Sequence, residues 1–74
     1  MNAITFARSN NARVKLENDN GICLAHIFLA IGGTRSVRVR DQLRLGEIEK
    51  ELLMHGYKII LRDCISITLN PPTL

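Results

Sequence analysis

The residues best suited to chemistry are four arginines within a span of ten positions. They are Arg35, Arg38, Arg40 and Arg44, and Asp41 is the only acidic residue among them. A guanidinium group makes paired hydrogen bonds to phosphate or carboxylate, so an all-arginine cluster favours recognition of either group. The cluster predicts a surface that binds a nucleic acid or an acidic protein. The alternative is a solvated strand edge whose charges discourage aggregation.

Two cysteines and two histidines offer the residue types of a zinc site. Cys23 and His26 are separated by two residues, and His55 with Cys64 would complete four ligands. If 22–31 is a strand, positions 23 and 26 point to opposite faces, and only a helix would align them. We expect no metal and no cofactor, with zinc and a Cys23–Cys64 disulfide as the alternatives. Two cysteines are too few for a disulfide framework.

A ribonuclease is the catalytic alternative. His26 or His55 would act as acid or base beside Tyr57, with an arginine to hold phosphate. The stretch from Glu51 to Ile60 resembles the helix-to-strand passage of the HicA-type toxins, in which a helix ends in a glycine and an aromatic residue. The resemblance implies a small RNA-cleaving toxin, although the family's Gly-Ser-His segment with its catalytic histidine is absent. No Ser-His-Asp arrangement, phosphate loop or paired-carboxylate site is readable, so we expect no enzyme.

The elements that would position these residues begin with a hairpin. Asn20-Gly21 is a dipeptide that favours a tight turn between two strands. An alternating segment over 12–18 precedes it, and an apolar segment over 22–31 follows it. A two-residue turn would place Leu16 opposite Ala25 on one face. We interpret 22–31 as a strand, with a helix as the alternative.

Two further strands are predicted over 3–8 and 36–40. Asn10-Asn11 suits a tight turn after the first, because asparagine tolerates a positive φ. In the second, the two valines would face the core, while Arg38 and Arg40 would share the outer face. Both segments extend the hairpin into a meander.

One helix is predicted over 45–56. Its apolar residues recur at helical spacing, and Gly56 is the residue type expected just past a helix end. Asp41 would cap an earlier start, but Gly46 would then lie inside the helix at a cost of about 1 kcal/mol.

The remaining chain alternates between apolar and mostly polar residues over 58–69. We predict a bend or hairpin at Arg62-Asp63, because one twelve-residue strand would be long for so small a domain. The two prolines that follow indicate a flexible tail over 70–74. The chain is therefore predicted to be one domain over 1–69.

Composition narrows the class of protein. The 74 residues carry a net charge of +3, with 46% hydrophobic and 23% charged residues, which is ordinary for a globular chain. Ten residues form the longest apolar run, too few for the roughly 18 of a membrane span. The first residues lack the pattern of a signal peptide. We expect a cytoplasmic protein with no membrane partner.

The predicted fold is α+β, a small antiparallel sheet. A meander of three or four strands precedes the helix, and one or two strands follow it. A single helix covers only one face of such a sheet. The other face would carry Ile4, Phe6, Leu24, His26 and Phe28. That face is too apolar to remain fully exposed to solvent, so we expect a homodimer that buries it.

These observations predict a small non-enzymatic binding module. We expect a protein-binding inhibitor or regulator, of the kind that phages and mobile elements encode, docking on a larger protein or protein–nucleic-acid complex. The first alternative is a regulator that binds DNA or RNA through the basic strand over 35–44. Three aromatic residues are few for base stacking, which favours a protein partner. The second alternative is the toxin-like ribonuclease.

Overall fold

Seven elements build the domain in the computed structural model, which describes residues 2–72. They are α1 (Ala3–Ser9), β1 (Arg13–Asp19), β2 (Ile22–Phe28), β3 (Thr34–Val39), α2 (Gln42–Met54), β4 (Lys58–Arg62) and β5 (Ser66–Asn70). The strands form one five-stranded antiparallel sheet in the order β3-β2-β1-β5-β4. Both helices pack against the same sheet face, where the core lies. The predicted α+β class is confirmed.

The central hairpin follows the predicted register. Asn20 and Gly21 both take positive φ, at 53° and 84°, as a tight two-residue turn requires. Leu16 lies opposite Ala25 on the buried face, as predicted. The segment 22–31 is a strand over its first seven residues, so the helix alternative is wrong.

The strand predicted over 3–8 is wrong, because this segment forms α1. The side chain of Asn2 caps the helix by accepting a hydrogen bond of 2.8 Å from the backbone N–H of Thr5. Ile4 and Ala7, one helical turn apart, are both buried against the sheet. A cap and one buried stripe therefore outweigh the strand propensity of the segment.

This correction moves two residues of the predicted dimer face. Ile4 is buried in the core, and Phe6 packs against it, so their placement on the uncovered sheet face is wrong. Leu24, His26 and Phe28 do lie on the face away from the helices. Leu24 and His26 are half-buried there, and Phe28 is 36% exposed. We call this side of the sheet the open face.

Helix α2 begins at Gln42, earlier than the predicted start at 45. The carboxylate of Asp41 accepts a hydrogen bond of 2.8 Å from the backbone N–H of Arg44 and caps the helix. This bond lowers the pKa of Asp41, and the nearby Arg40 guanidinium lowers it further. Gly46 lies inside the helix, so the cap outweighs the poor helix propensity of that glycine.

The end of α2 is a Schellman motif. The helix ends at Met54 rather than at the predicted 56. Gly56 has a φ of 89° and donates to the carbonyl of Leu53 at 3.1 Å, while Tyr57 N–H donates to Leu52 at 3.0 Å. Tyr57 is thereby turned into the core, where it is 3% exposed.

The predicted hairpin over 58–69 is confirmed, with its turn after Arg62. The carboxylate of Asp63 accepts hydrogen bonds from the backbone N–H groups of Ile65 and Ser66, at 3.0 and 2.8 Å. These bonds, with one from the Ser66 hydroxyl, lower the pKa of Asp63. The predicted tail begins at Asn70, the last residue of β5. Residues 73–74 lie outside the described residues, and the tail stays a prediction.

Candidate binding groove

The four predicted arginines line one groove between the edge strand β3 and the two helices. Its volume is about 570 Å³. The lining residues come from α1 and its cap, from β2, from β3 and from α2: Asn2, Ala3, Ile4, Phe6, Ile27, Arg35, Val37, Arg38, Val39, Arg40, Arg44, Glu47 and Ile48. We call this feature the arginine groove.

The arginine groove runs along the free edge of β3. In the pairing with β2, Arg35 lies opposite the buried Ile27, whereas Arg38 lies opposite Leu24 of the open face. Because the two arginines belong to opposite faces yet line one groove, the groove follows the strand edge. The predicted strand over 36–40 ends one residue early, at Val39, so Arg40 lies just past β3 and not on one strand with Arg38.

Three of the four guanidinium groups are held by neighbours. Arg35 lies over the ring of Phe6, at 4.5 Å from the ring centroid. The Nη1 atom of Arg44 lies 3.3 Å from Glu47 and 3.9 Å from Glu51, both on α2. Arg40 lies 3.3 Å from the carboxylate of Asp41. These contacts place three of the four cations beside a neighbouring side chain at the rim of the groove.

Arg38 differs from the other three. Within residues 2–72 its guanidinium has neither an ion pair nor a contact with an aromatic ring. Arg38 is also exposed on the edge strand. An unneutralised cation at an accessible edge is the group that an acidic ligand would meet first.

The floor of the arginine groove is apolar. Val39 and Ile48 are buried, Val37 is half-buried, and Ile4 from α1 closes the far side. Sites of this kind bury apolar groups of a ligand, while a few charged groups set its orientation. The arrangement can therefore bind a segment that carries both apolar and acidic side chains.

Helix α1 supplies the part of the groove that the sequence prediction missed. The sequence pattern predicts a strand over 3–8, which does not bring Ile4 and Phe6 beside Arg35. The signals that would have found them are an asparagine cap at Asn2 and the spacing of Ile4 and Ala7.

The open face carries an ordered row of charges on its middle strand. Along β1 the residues that point there are Arg13, Lys15, Glu17 and Asp19, so two cations are followed by two anions. A hollow of about 750 Å³ lies beside the cationic end, and Phe28 and Leu61 contribute to its lining. The face is therefore charged along its centre and partly apolar on both sides.

A polar cluster lies beside that row. His26 Nδ1 and Ser36 Oγ are 2.7 Å apart, and His26 Nε2 lies 3.5 Å from a carboxylate oxygen of Glu17. The same oxygen lies 3.8 Å from Lys15 Nζ. These contacts hold Glu17 in place on the open face.

The residues of the zinc alternative are not brought together. Cys23 is buried on the helix side, while His26 lies on the open face, as a strand requires. Both cysteines are free. Among residues 2–72, no three histidine, cysteine or acidic side chains are grouped to hold a metal ion.

The residues of the ribonuclease alternative are also separated. The hydroxyl of Tyr57 is buried and donates to the carbonyl of Ala12 at 3.0 Å. Burial raises the pKa of Tyr57, which makes it a weaker acid. His55 is the exposed C-cap of α2, whereas His26 lies across the sheet.

Comparison with protein-family models, with curated proteins and with solved structures finds no match to this chain. Within residues 2–72, no helix is long and apolar enough to cross a membrane. The function must therefore be argued from the two surfaces themselves.

Proposed function

We propose that this chain is a small non-enzymatic binding module that docks through the arginine groove on an acidic segment of a larger protein. The observation that carries the proposal is the convergence of Arg35, Arg38, Arg40 and Arg44 around one groove with an apolar floor. Occupation of a partner's acidic segment would make the module an inhibitor or regulator of that partner, of the kind that phages and mobile elements encode.

The apolar floor favours a protein segment over a nucleic acid. A phosphate backbone would neutralise the arginines but would offer no apolar group to the half-buried Val37 or to the apolar floor around it. Base stacking needs a free aromatic face, and the Arg35 guanidinium already lies over Phe6. A peptide with mixed acidic and apolar side chains satisfies both parts of the groove.

We also propose that two copies pair through their open faces. A twofold axis across the strands at Leu16 would lay β1 of one copy antiparallel over β1 of the other. Arg13 would then face Asp19 of the second copy, and Lys15 would face Glu17. The charge order along β1 is complementary to itself in this orientation.

The same axis also matches apolar residues on β2. Phe28 lies level with Arg13 and Ile22 level with Asp19, so Phe28 of one copy would face Ile22 of the other. These two side chains are 36% and 48% exposed in the single chain. Apolar contacts would supply affinity, while the paired charges, which contribute little net energy when buried, would set the orientation.

Selection from a random peptide library tests the groove. We expect the wild-type chain to enrich peptides that combine Asp or Glu with Val, Ile or Leu. The variant R38E/R40E should lose that enrichment, because two cations of the rim become anions. The variant K50E/K58E changes net charge equally at exposed positions outside the groove, and it should select the same peptides as the wild type.

Nucleic acid binding is measured in parallel with duplex DNA and single-stranded RNA. A steep fall of oligonucleotide affinity with salt, lost in R38E/R40E, together with no acidic enrichment, would overturn the protein-binding proposal in favour of a nucleic-acid partner. If R38E/R40E enriched the same acidic peptides as the wild type, that result would also contradict the protein-binding proposal. Circular dichroism confirms that each variant keeps its fold.

A further inference from the structure

We propose that the acidic partner segment binds as an added strand, paired antiparallel or parallel along the free edge of β3. This inference rests on the proposed function and specifies the form of the partner. In strand addition, main-chain hydrogen bonds provide affinity, and pockets for alternate side chains provide specificity. The arginine groove offers both, since it runs beside an edge strand and has an apolar floor.

Strand β3 is the regular edge of the sheet. Its pairing with β2 is continuous over six residue pairs, from Cys23–Val39 to Phe28–Thr34. The opposite edge, β4, shifts register between Ile59 and Leu61, and such a bulge bends a strand and interrupts its ladder. Alternate residues of β3 direct N–H and C=O groups away from β2, toward an incoming strand.

The side chains of β3 specify which residues the added strand would carry. Arg35, Val37 and Val39 face the helix side, and Ser36 and Arg38 face the open side. Directly opposed pairs favour opposite charges and apolar matches. The partner should therefore place an acid opposite Arg35 and another opposite Arg38. It should place apolar residues opposite the two valines.

This pairing gives a short pattern. In the parallel direction it reads acidic, any residue, apolar, acidic, apolar, and in the antiparallel direction it reads in reverse. The first acid would meet the Arg35 guanidinium beside Phe6. The second would meet Arg38, whose charge no side chain within residues 2–72 neutralises.

A second copy of the chain does not fit this edge. The segment Thr34–Val39 carries Arg35 and Arg38 and no acidic residue. Pairing of two β3 strands would therefore bring positive charges together without a negative charge to offset them. Like charges across a strand pair are destabilising, and edge charges of this kind prevent self-pairing. The occupant is therefore a different protein with an acidic strand.

The test uses two blocked, labelled peptides, Glu-Thr-Val-Glu-Val and its reverse, Val-Glu-Val-Thr-Glu. Fluorescence anisotropy measures their binding to the wild-type chain. The peptide that binds more tightly is remade twice, with N-methyl groups on one or the other set of alternate residues. In an added strand only one set donates to β3, so one N-methylated peptide should lose about tenfold or more in affinity and the other should bind almost unchanged.

The outcomes separate this inference from the proposed function. If both N-methylated peptides lose the same affinity, or neither loses any, strand addition is overturned, but the proposal of an acidic partner is not. Failure of both unmodified peptides, although the library yields acidic peptides that depend on Arg38, also overturns strand addition alone. Failure of both the peptides and the library selection overturns the proposed function as well. Exchange of the β3 amide hydrogens should slow when the better peptide binds, but not when its glutamates are replaced by lysines.

Discussion

The guanidinium of Arg35 lies 4.5 Å from the ring centroid of Phe6, and this contact joins the edge strand β3 to helix α1 across the arginine groove. Arg35 comes from the helix-facing side of β3, and Phe6 packs partly against the core. A guanidinium on an aromatic face keeps its charge accessible while its orientation is restrained. The contact therefore orients one cation of the proposed site before any partner arrives.

A double-mutant cycle measures that contact. The variants R35Q, F6L and R35Q/F6L are compared with the wild type by urea unfolding. We expect a coupling free energy of about 0.5–1 kcal/mol, the usual range for an exposed cation–π pair. If the change in unfolding free energy of the double variant equals the sum of the changes in the two single variants, the result would contradict the interaction. R38Q serves as the control, and it should show no coupling to F6L.

Removal of one hydroxyl should destabilise the fold. The Tyr57 hydroxyl is buried and donates to the Ala12 carbonyl, linking the end of α2 to the start of the sheet. In the variant Y57F the Ala12 carbonyl loses this partner, and we expect a loss of about 1–3 kcal/mol in unfolding free energy. Chemical denaturation measures the loss. An unchanged midpoint would contradict a stabilising role for this hydrogen bond.

The same tyrosine predicts a pH dependence. Burial raises the pKa of Tyr57 in the folded chain above its ordinary value of 10.0. The unfolded chain therefore releases this proton first, so the stabilisation is complete below pH 10 and is lost as the pH rises through the folded pKa. Between about pH 9 and 11 the wild type should therefore lose more stability than Y57F. Parallel curves for the two proteins would contradict this.

The sheet was largely predictable from the sequence because its strongest signals are local. The turn at Asn20-Gly21 fixes the register of its hairpin, and alternation over 12–18 fixes the buried face. Helix α1 was not predictable in the same way. Its seven residues are too few for a clear helical period, and its stability depends on packing against a sheet that the local pattern does not reveal.

The candidate site was predictable only in part. The clustering of four arginines in the sequence identified the basic residues, but Arg44 belongs to a helix and Arg40 to the turn before it. The apolar floor depends on residues of α1 and α2 lying beside β3, which is a long-range arrangement. The charge order on β1 was present in the sequence. Only the strand order shows that β1 is the middle strand, so that these charges lie at the centre of the open face.

Two glycines should respond in opposite directions to replacement by alanine. Gly46 lies inside α2, and apart from its chain neighbours and the surrounding helix backbone no atom of residues 2–72 lies within 4 Å of the position its Cβ would take. We expect G46A to raise the unfolding free energy by about 0.5–1 kcal/mol, through helix propensity. Gly56 has a φ of 89°, and its Cβ would lie 3.3 Å from Pro72 Cβ, so G56A should destabilise. Thermal unfolding of both variants measures whether G46A raises the stability and G56A lowers it.

The proposed dimer predicts a charge-reversal experiment on β1. In the antiparallel arrangement Lys15 faces Glu17 of the second copy, twice in each dimer. The variant K15E would place two acids together at both positions, and E17K would place two bases together, so each should be monomeric in light scattering. The double variant K15E/E17K restores opposite charges and should dimerise like the wild type.

A mixture of the two single variants makes the test sharper. K15E carries acids at both positions and E17K carries bases at both, so a heterodimer would place opposite charges together at both contacts, although neither variant pairs with itself. Mass photometry or analytical ultracentrifugation of the mixture should therefore show dimers that the separate samples lack. A monomeric wild type at high concentration, or a dimer that both single variants keep, would mean that the open face is not the interface. The matched variant K50E, on the exposed side of α2, should dimerise normally.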